Sequence, residues 1–154
     1  MRVADGPCSF VVHPIGGALR YEGRYENGLR DGLWRVTKAE TGAPCWEVTW
    51  ARGEWHGPSR SWYSNGQLEK EGEHRHGRMA GPWTFWFQTG QTAARGHYEE
   101  DQKAGAWEYW DKSGRLVSWE AWEREYETYD FAFDDYRGTP RGENWPHPPG
   151  AFDC

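Results

Sequence analysis

A glycine recurs every 24 residues along most of this chain, and that period limits the fold more than any other feature of the sequence. Because several positions repeat in step, the sequence predicts an array of similar supersecondary units that stack on one another. Three of the series contain one extra residue between the first and second units. The uninterrupted series is Gly42, Gly66, Gly90 and Gly114, and the others begin at Gly23, Gly28 and Gly32, with departures at Val48 and Asp101.

Each unit divides into two strand-like runs joined by a turn. In one unit, an aromatic run at 83–87 precedes a turn at 88–91, and a more polar run follows at 93–98. The equivalent turn one unit earlier contains Asn65-Gly66, a pair that favours hairpins because both residues tolerate positive φ. One unit is thus one β-hairpin. We predict an all-β, single-domain antiparallel meander of roughly 8 to 10 strands, because isolated hairpins are marginally stable and must stack.

The core of such a sheet has to be built from aromatic rings. The chain has 12 Trp, 8 Tyr and 6 Phe, against only 6 Val, 5 Leu and 1 Ile. Since side chains alternate between the two faces of a strand, Trp34, Trp83 and Trp107 are predicted to share one column across the sheet. A second predicted column contains Tyr25, Trp50, His74, Tyr98 and Trp122.

Three further tryptophans, Trp62, Trp86 and Trp110, fall on the opposite face of their strands. Two interpretations of this face are open. Either the terminal segments cover it, or it forms an aromatic platform for carbohydrate or lipid headgroups, since rings stack on apolar sugar faces and Trp is enriched at membrane interfaces. The net acidity of the chain disfavours anionic lipid.

The negative charge of the chain is confined to one C-terminal segment. The whole chain has 24 acidic and 18 basic residues, a formal net charge of -6. Residues 117–136 contain seven of the acids and a single base, so the rest of the chain is balanced. The ring spacing from Trp119 to Tyr129 favours a short amphipathic helix, although the rings as far as Trp122 also fit a strand.

This segment is either a cap with a solvated acidic face or an acidic and aromatic surface for a basic partner protein. Acidic complementarity would speed association with such a partner. The residues predicted to contact the partner are Trp119, Glu120, Trp122, Glu123, Glu127, Asp130, Asp134 and Asp135.

Residues 21–34, the first unit of the chain, resemble a MORN repeat, with Tyr and Gly at the start, an Asn-Gly pair, and a further Gly four residues later. The runs 81–87 and 105–110 are similar to a bacterial branch in which that Gly precedes a Trp and a second aromatic residue. The resemblance implies a hairpin-repeat sheet, and members of this branch are often antitoxin-like. The expected organisation is a capping segment at 1–18, four to five repeats at 19–122, and an acidic aromatic cap with a Pro/Gly-rich tail at 123–154.

The motifs of common catalytic and cofactor sites are absent from the sequence, which has no nucleophile elbow, P-loop, HExxH or dinucleotide fingerprint. A metal cluster of His56, His74 and His76 is geometrically possible, but surface histidines explain the pattern more simply. Cys8, Cys45 and Cys154 lie far apart and argue against a disulfide framework or a zinc site. We therefore predict no enzymatic activity, no cofactor and no metal.

Charge and hydropathy limit the partners and the compartment. The acidic balance argues against direct binding of nucleic acid. No apolar run approaches a membrane span and none suits a signal peptide, so a cytoplasmic location is expected.

Three functions remain in view. The favoured one is a non-enzymatic protein-binding module, antitoxin- or immunity-like, that covers a basic toxin, with its acids mimicking a polyanionic substrate if that toxin is a nuclease. The second is the tryptophan platform, and the third is a structural scaffold that stacks through open sheet edges.

Overall fold

The computed structural model describes residues 5–13 and 17–126, which form a ten-stranded antiparallel sheet and one short helix. The strands lie in sequence order, each hydrogen-bonded to the next, and the predicted all-β meander is confirmed. The elements are β1 (Gly6–Val12), β2 (Leu19–Glu26), β3 (Leu29–Lys38), β4 (Pro44–Ala51), β5 (Glu54–Trp62), β6 (Leu68–Arg75), β7 (Arg78–Trp86), β8 (Thr92–Glu99), β9 (Gln102–Trp110), β10 (Leu116–Val117) and α1 (Trp119–Tyr126).

The two-residue hairpin turns all lie at the same ends of the strands, and hydrogen bonds link each turn to the unit before it. Asn27 and Gly28, with φ of 53° and 77°, have the left-handed conformation that tight hairpins require. The second turn residue of each later unit donates its N–H to a carbonyl of the unit before it, as Gly77 does to Trp55 at 2.8 Å. In the first unit, the carboxylate of Asp5 accepts the N–H of Gly28 at 3.0 Å and so begins this ladder of turns.

The fourth turn keeps this geometry although the glycine series ends there. Asp101 has φ of 70°, a conformation that costs a non-glycine residue energy. Its carboxylate compensates by accepting the N–H of Met79 at 2.7 Å. The replacement of glycine by Asp101 therefore changes the residue but keeps the turn conformation of the other units.

The core face is organised by an indole lying on a glycine in three of the units. Gly23, Gly72 and Gly96 lie directly beneath the rings of Trp34, Trp83 and Trp107, and a β-carbon at any of these glycines would overlap the ring. Each indole N–H donates to a backbone carbonyl at 3.1 Å. The glycine series that begins at Gly23 and the predicted tryptophan column thus meet in one repeated contact.

The second unit replaces both halves of this contact. Val48 occupies the glycine position and pairs with Ser59, which occupies the tryptophan position. Both are buried, at 2% and 5% exposure. The irregularity in strand pairing also moves by one residue, to lie between Val48 and Trp50.

Aromatic contacts extend across most of the core face. Tyr25, Trp50, His74 and Tyr98 are all buried, as predicted, and each contacts the ring of a neighbouring strand or unit. The imidazole of His74 lies between Trp55 and Trp83, at ring-centre distances of 4.8 and 5.2 Å. Burial, with a smaller contribution from Lys70, lowers the pKa of His74 to about 3. His74 is therefore a neutral core residue rather than a surface ligand.

Among the described cysteines, Cys45 is a free thiol and Cys8 is disulfide-bonded. The sequence argued against a disulfide framework, and Cys8 is an exception to that expectation among the described cysteines.

Candidate binding surfaces

The C-terminal helix covers the last repeat with two tryptophan rings. Helix α1 begins after Ser118, whose hydroxyl accepts the N–H of Ala121 at 3.2 Å and caps the first turn. Trp119 and Trp122 stack on each other at 5.8 Å and contact the Tyr109 ring at 5.0 and 5.6 Å. The prediction of a helix is correct through Tyr126, and Trp122 enters the core from the helix rather than as the next member of a strand column.

Lys103 shows that the helix takes the place of a further repeat. Its ammonium lies 4.1 Å from the centre of the Trp119 ring and 5.2 Å from that of Trp107. At the equivalent position of the first repeat, the Arg30 guanidinium lies over Trp34 of its own unit and Trp50 of the next, at 4.8 and 5.2 Å. Trp119 thus supplies the ring that a following unit would otherwise provide.

The outer side of α1 is acidic. Glu120, Glu123 and Glu125 are exposed, together with Arg124, whereas Trp119 is half-buried and Trp122 is only 4% exposed. Glu120 and Glu123, three residues apart, are therefore neighbours on the exposed surface of α1, while Trp122 is buried in the core. The other predicted contact residues, Glu127, Asp130, Asp134 and Asp135, lie outside the described residues.

The outer face of the sheet carries a column of alternating charges that the sequence reading missed. Directly paired positions place Glu47 between Arg35 and Arg60, and the Arg60–Glu71 and Arg95–Glu108 ion pairs both measure 2.9 Å. Exposed pairs of this kind add little stability. They leave the column close to neutral, with four acids against three bases. The sequence signal that could have revealed the column is the recurrence of acids at Glu22, Glu47 and Glu71, and of arginines at Arg35 and Arg60, with the repeat period. The column consists of Glu22, Arg35, Glu47, Arg60, Glu71, Thr84, Arg95 and Glu108.

Trp62, Trp86 and Trp110 lie on this outer face beside the charged column. All three are half-buried, and neither core cluster of the described residues includes them. The Arg95 guanidinium lies 5.2 Å from the centre of the Trp110 ring. Helix α1 packs against Tyr109, which points to the opposite face, so it does not cover this row.

The histidines do not form the metal cluster that was weighed from the sequence. His56 and His76 are neighbours near the hairpin turns, where the His76 N–H donates to Nδ1 of His56 at 3.1 Å, whereas His74 is buried in the core. Within residues 5–13 and 17–126, no group of three potential ligands could hold a metal ion. A cleft of about 800 Å³ beside His76 is lined by both arginine and glutamate side chains, including Arg78 and Glu100, which pair at 3.1 Å.

Residues 55–76 match the family described as the MORN repeat variant. The matched range runs from β5 through β6, which is one complete hairpin, and it supports the MORN-repeat family for this chain. Repeats of this family generally have binding or scaffolding roles and form a non-enzymatic type of module. No curated protein matches the chain. None of the helices in the described part of the chain is long and apolar enough to span a membrane.

Replacing Trp122 with alanine is expected to detach α1 while the sheet stays folded. The helix contacts β9 alone among the strands with more than marginal contact, so its loss need not unfold the rest. Amide hydrogen exchange should show at least a tenfold loss of protection in residues 119–126 and none in β5 to β7. Glu123→Ala on the exposed side is the control and should keep full protection. Equal exchange in the two variants would contradict the role of Trp122 as the anchor.

Proposed function

We propose that the chain is a non-enzymatic module that binds a basic partner protein through its C-terminal acidic and aromatic segment. The proposal rests on the difference between the two sides of α1. Its tryptophans hold the helix on the sheet, and its glutamates are left exposed to solvent. The sheet therefore presents solvent-exposed carboxylates on a helix that its aromatic side chains anchor.

The charge distribution supports a basic partner. Residues 117–136 contain seven acids and one base in a chain that is otherwise balanced. Such a concentrated field accelerates association with a surface of opposite charge and makes binding sensitive to salt. The half-buried ring of Trp119, next to Glu120, would give the interface an apolar anchor.

Neutralisation of a toxin is the specific form of this function that we favour. A module of this kind would act by covering the basic active surface of its partner, and its carboxylates would occupy positions that a polyanionic substrate uses. This mechanism requires no catalytic group on the chain itself. Simple scaffolding of the same partner would use the same surface without inhibition.

The test compares partner capture by the full chain and by two charge-reversed variants. One variant carries lysine at Glu120, Glu123, Glu127, Asp130, Asp134 and Asp135. The control carries lysine at three exposed acids in the strands of the repeats, Glu26, Glu54 and Glu99. We expect a partner that binds the wild type and the control, is lost from the first variant, and is released by raised salt.

Equal capture by all three proteins would overturn the proposed surface, and so would a partner whose binding is indifferent to salt. If the chain acts as an antitoxin, the captured protein must also be toxic. The captured protein should arrest growth when it is expressed alone, and co-expression of the wild type should restore growth where the first variant does not. Capture without growth arrest would leave scaffolding as the function and would exclude neutralisation.

A further inference from the structure

The row of Trp62, Trp86 and Trp110 has a spacing set by the sheet itself. The three residues occupy the same position in successive hairpins, on β5, β7 and β9. Neighbouring strands lie about 4.8 Å apart, so successive indoles are separated by about 9.6 Å measured across the sheet. A ligand that uses all three rings must present an apolar surface at that interval.

The charged column runs parallel to this row. Arg60, Thr84 and Glu108 lie two residues before the three tryptophans on the same strands, which is about 6.7 Å along the strand direction. Between them, Glu71 pairs with Arg60 and Arg95 pairs with Glu108, so donors and acceptors alternate along the column. The outer face therefore combines evenly spaced rings with a neighbouring line of hydrogen-bonding groups of balanced charge.

We propose that this face binds a neutral β-1,4-linked glycan chain that runs across the strands. In an extended chain of this linkage, every second sugar presents the same apolar face to the same side, at close to the interval of the tryptophans. Three stacked sugars would contact the three rings, and the hydroxyls along the chain edge would face the charged column. This site is separate from the acidic segment and does not depend on the protein partner proposed above.

The balance of charge and the twist of the sheet further restrict the class of ligand that this face can bind. A polyanion or an anionic membrane would need an excess of basic groups, which the column does not have. Adjacent strands rotate by about 20° to 25°, so successive rings turn relative to one another. A single soluble chain can follow that turn, whereas the flat surface of a crystalline polysaccharide cannot.

The experiment is calorimetric titration of the full chain with soluble hexasaccharides of β-1,4-linked glucose and of β-1,4-linked N-acetylglucosamine. A hexasaccharide spans the whole row, and a disaccharide reaches only one ring. We expect at least one hexasaccharide to bind at least tenfold more tightly than its disaccharide. Insoluble crystalline cellulose and vesicles of phosphatidylcholine are the alternative ligands, tested separately for binding to the same protein.

The Trp86→Ala variant removes the central ring and should weaken hexasaccharide binding about tenfold, which corresponds to roughly 1.4 kcal/mol. Leu33→Ala, an exposed residue distant from the row, is the matched control and should bind as the wild type does. If Trp86→Ala fails to fold, the indole N–H resonances of the wild type provide the second measurement. Those of Trp62, Trp86 and Trp110 should shift on titration, and those of Trp34 and Trp83 should not.

Absence of binding to both hexasaccharides would overturn the proposal, as would undiminished binding by folded Trp86→Ala. Vesicle binding that depends on Trp86, in the absence of glycan binding, would assign the row to lipid instead. Shifts confined to indoles of the core face would also refute a site on the outer face.

Discussion

Gly72→Val and Trp83→Ser are each expected to destabilise the sheet strongly, and the two changes in one chain are expected to cost clearly less than the sum of the separate changes. The β-branched side chain would overlap the indole of Trp83, and we expect the single variant to lose about 3 kcal/mol or more. Trp83→Ser alone removes a ring that is 1% exposed and should cost about 4 kcal/mol. The double variant recreates the Val48–Ser59 pair that the second unit already uses.

Urea unfolding of the four proteins measures the coupling between the two positions. We expect the double variant to be about 2 to 3 kcal/mol more stable than the sum of the single changes allows. Gly72→Val combined with Trp107→Ser is the control, because Trp107 lies on Gly96 and does not contact Gly72. This second pair should be additive. Additivity in both pairs would show that the indole-on-glycine contact does not govern the repeat.

Acidification is expected to destabilise the chain through His74 well above the pH at which carboxylates are protonated. Burial lowers the pKa of His74 in the folded chain to about 3 from 6.5, so protons bind the unfolded chain preferentially. The contribution of neutral His74 to the free energy of unfolding is complete above pH 6.5. It is lost as the pH falls toward 3, by about 1.4 kcal/mol per pH unit. Between pH 7.5 and 5 the free energy of unfolding should fall by about 2 kcal/mol from this residue.

His74→Tyr is the matched variant for this measurement, since Tyr25 and Tyr98 occupy the equivalent buried positions in other units. It removes the titrating ring and keeps an aromatic side chain at the same place. The loss of stability between pH 7.5 and 5 should then be about 2 kcal/mol smaller than in the wild type. The same pH dependence in both proteins would show that His74 does not control the acid response.

The parts of the fold that follow from sequence are those set by strict periodicity. The intervals of Gly72 and Gly96, and of Trp83 and Trp107, were sufficient to predict the hairpins, the core columns and the face of Trp86. Local ambiguity limited the rest. Trp122 fitted both a helix, because it lies three residues after Trp119, and a strand, because it lies one repeat period after Tyr98. Tertiary contact with Tyr109 decides between them.

The candidate sites were harder to predict because they depend on contacts between units. Arg30 and Lys103 lie two residues before Gly32 and Gly105, so the repeat period gives their equivalence, but the rings that they contact are known only from the fold. The charge column required the exact strand register, which the bulge beside each core glycine changes. The acidic segment was visible from charge counting, yet its tryptophans could not be divided into anchoring and exposed rings before the helix was seen on β9.

The ladder of hydrogen bonds between hairpin turns has a consequence for how such a chain can change in evolution. Each internal turn binds the unit before it, and within the described residues Asp5 at one end and α1 at the other replace contacts that a neighbouring unit would make. An in-frame duplication of 24 residues would therefore lengthen the array without altering either end. Each duplication would add about 9.6 Å to the reach of the sheet, so the gene can adjust the span of the protein in fixed steps.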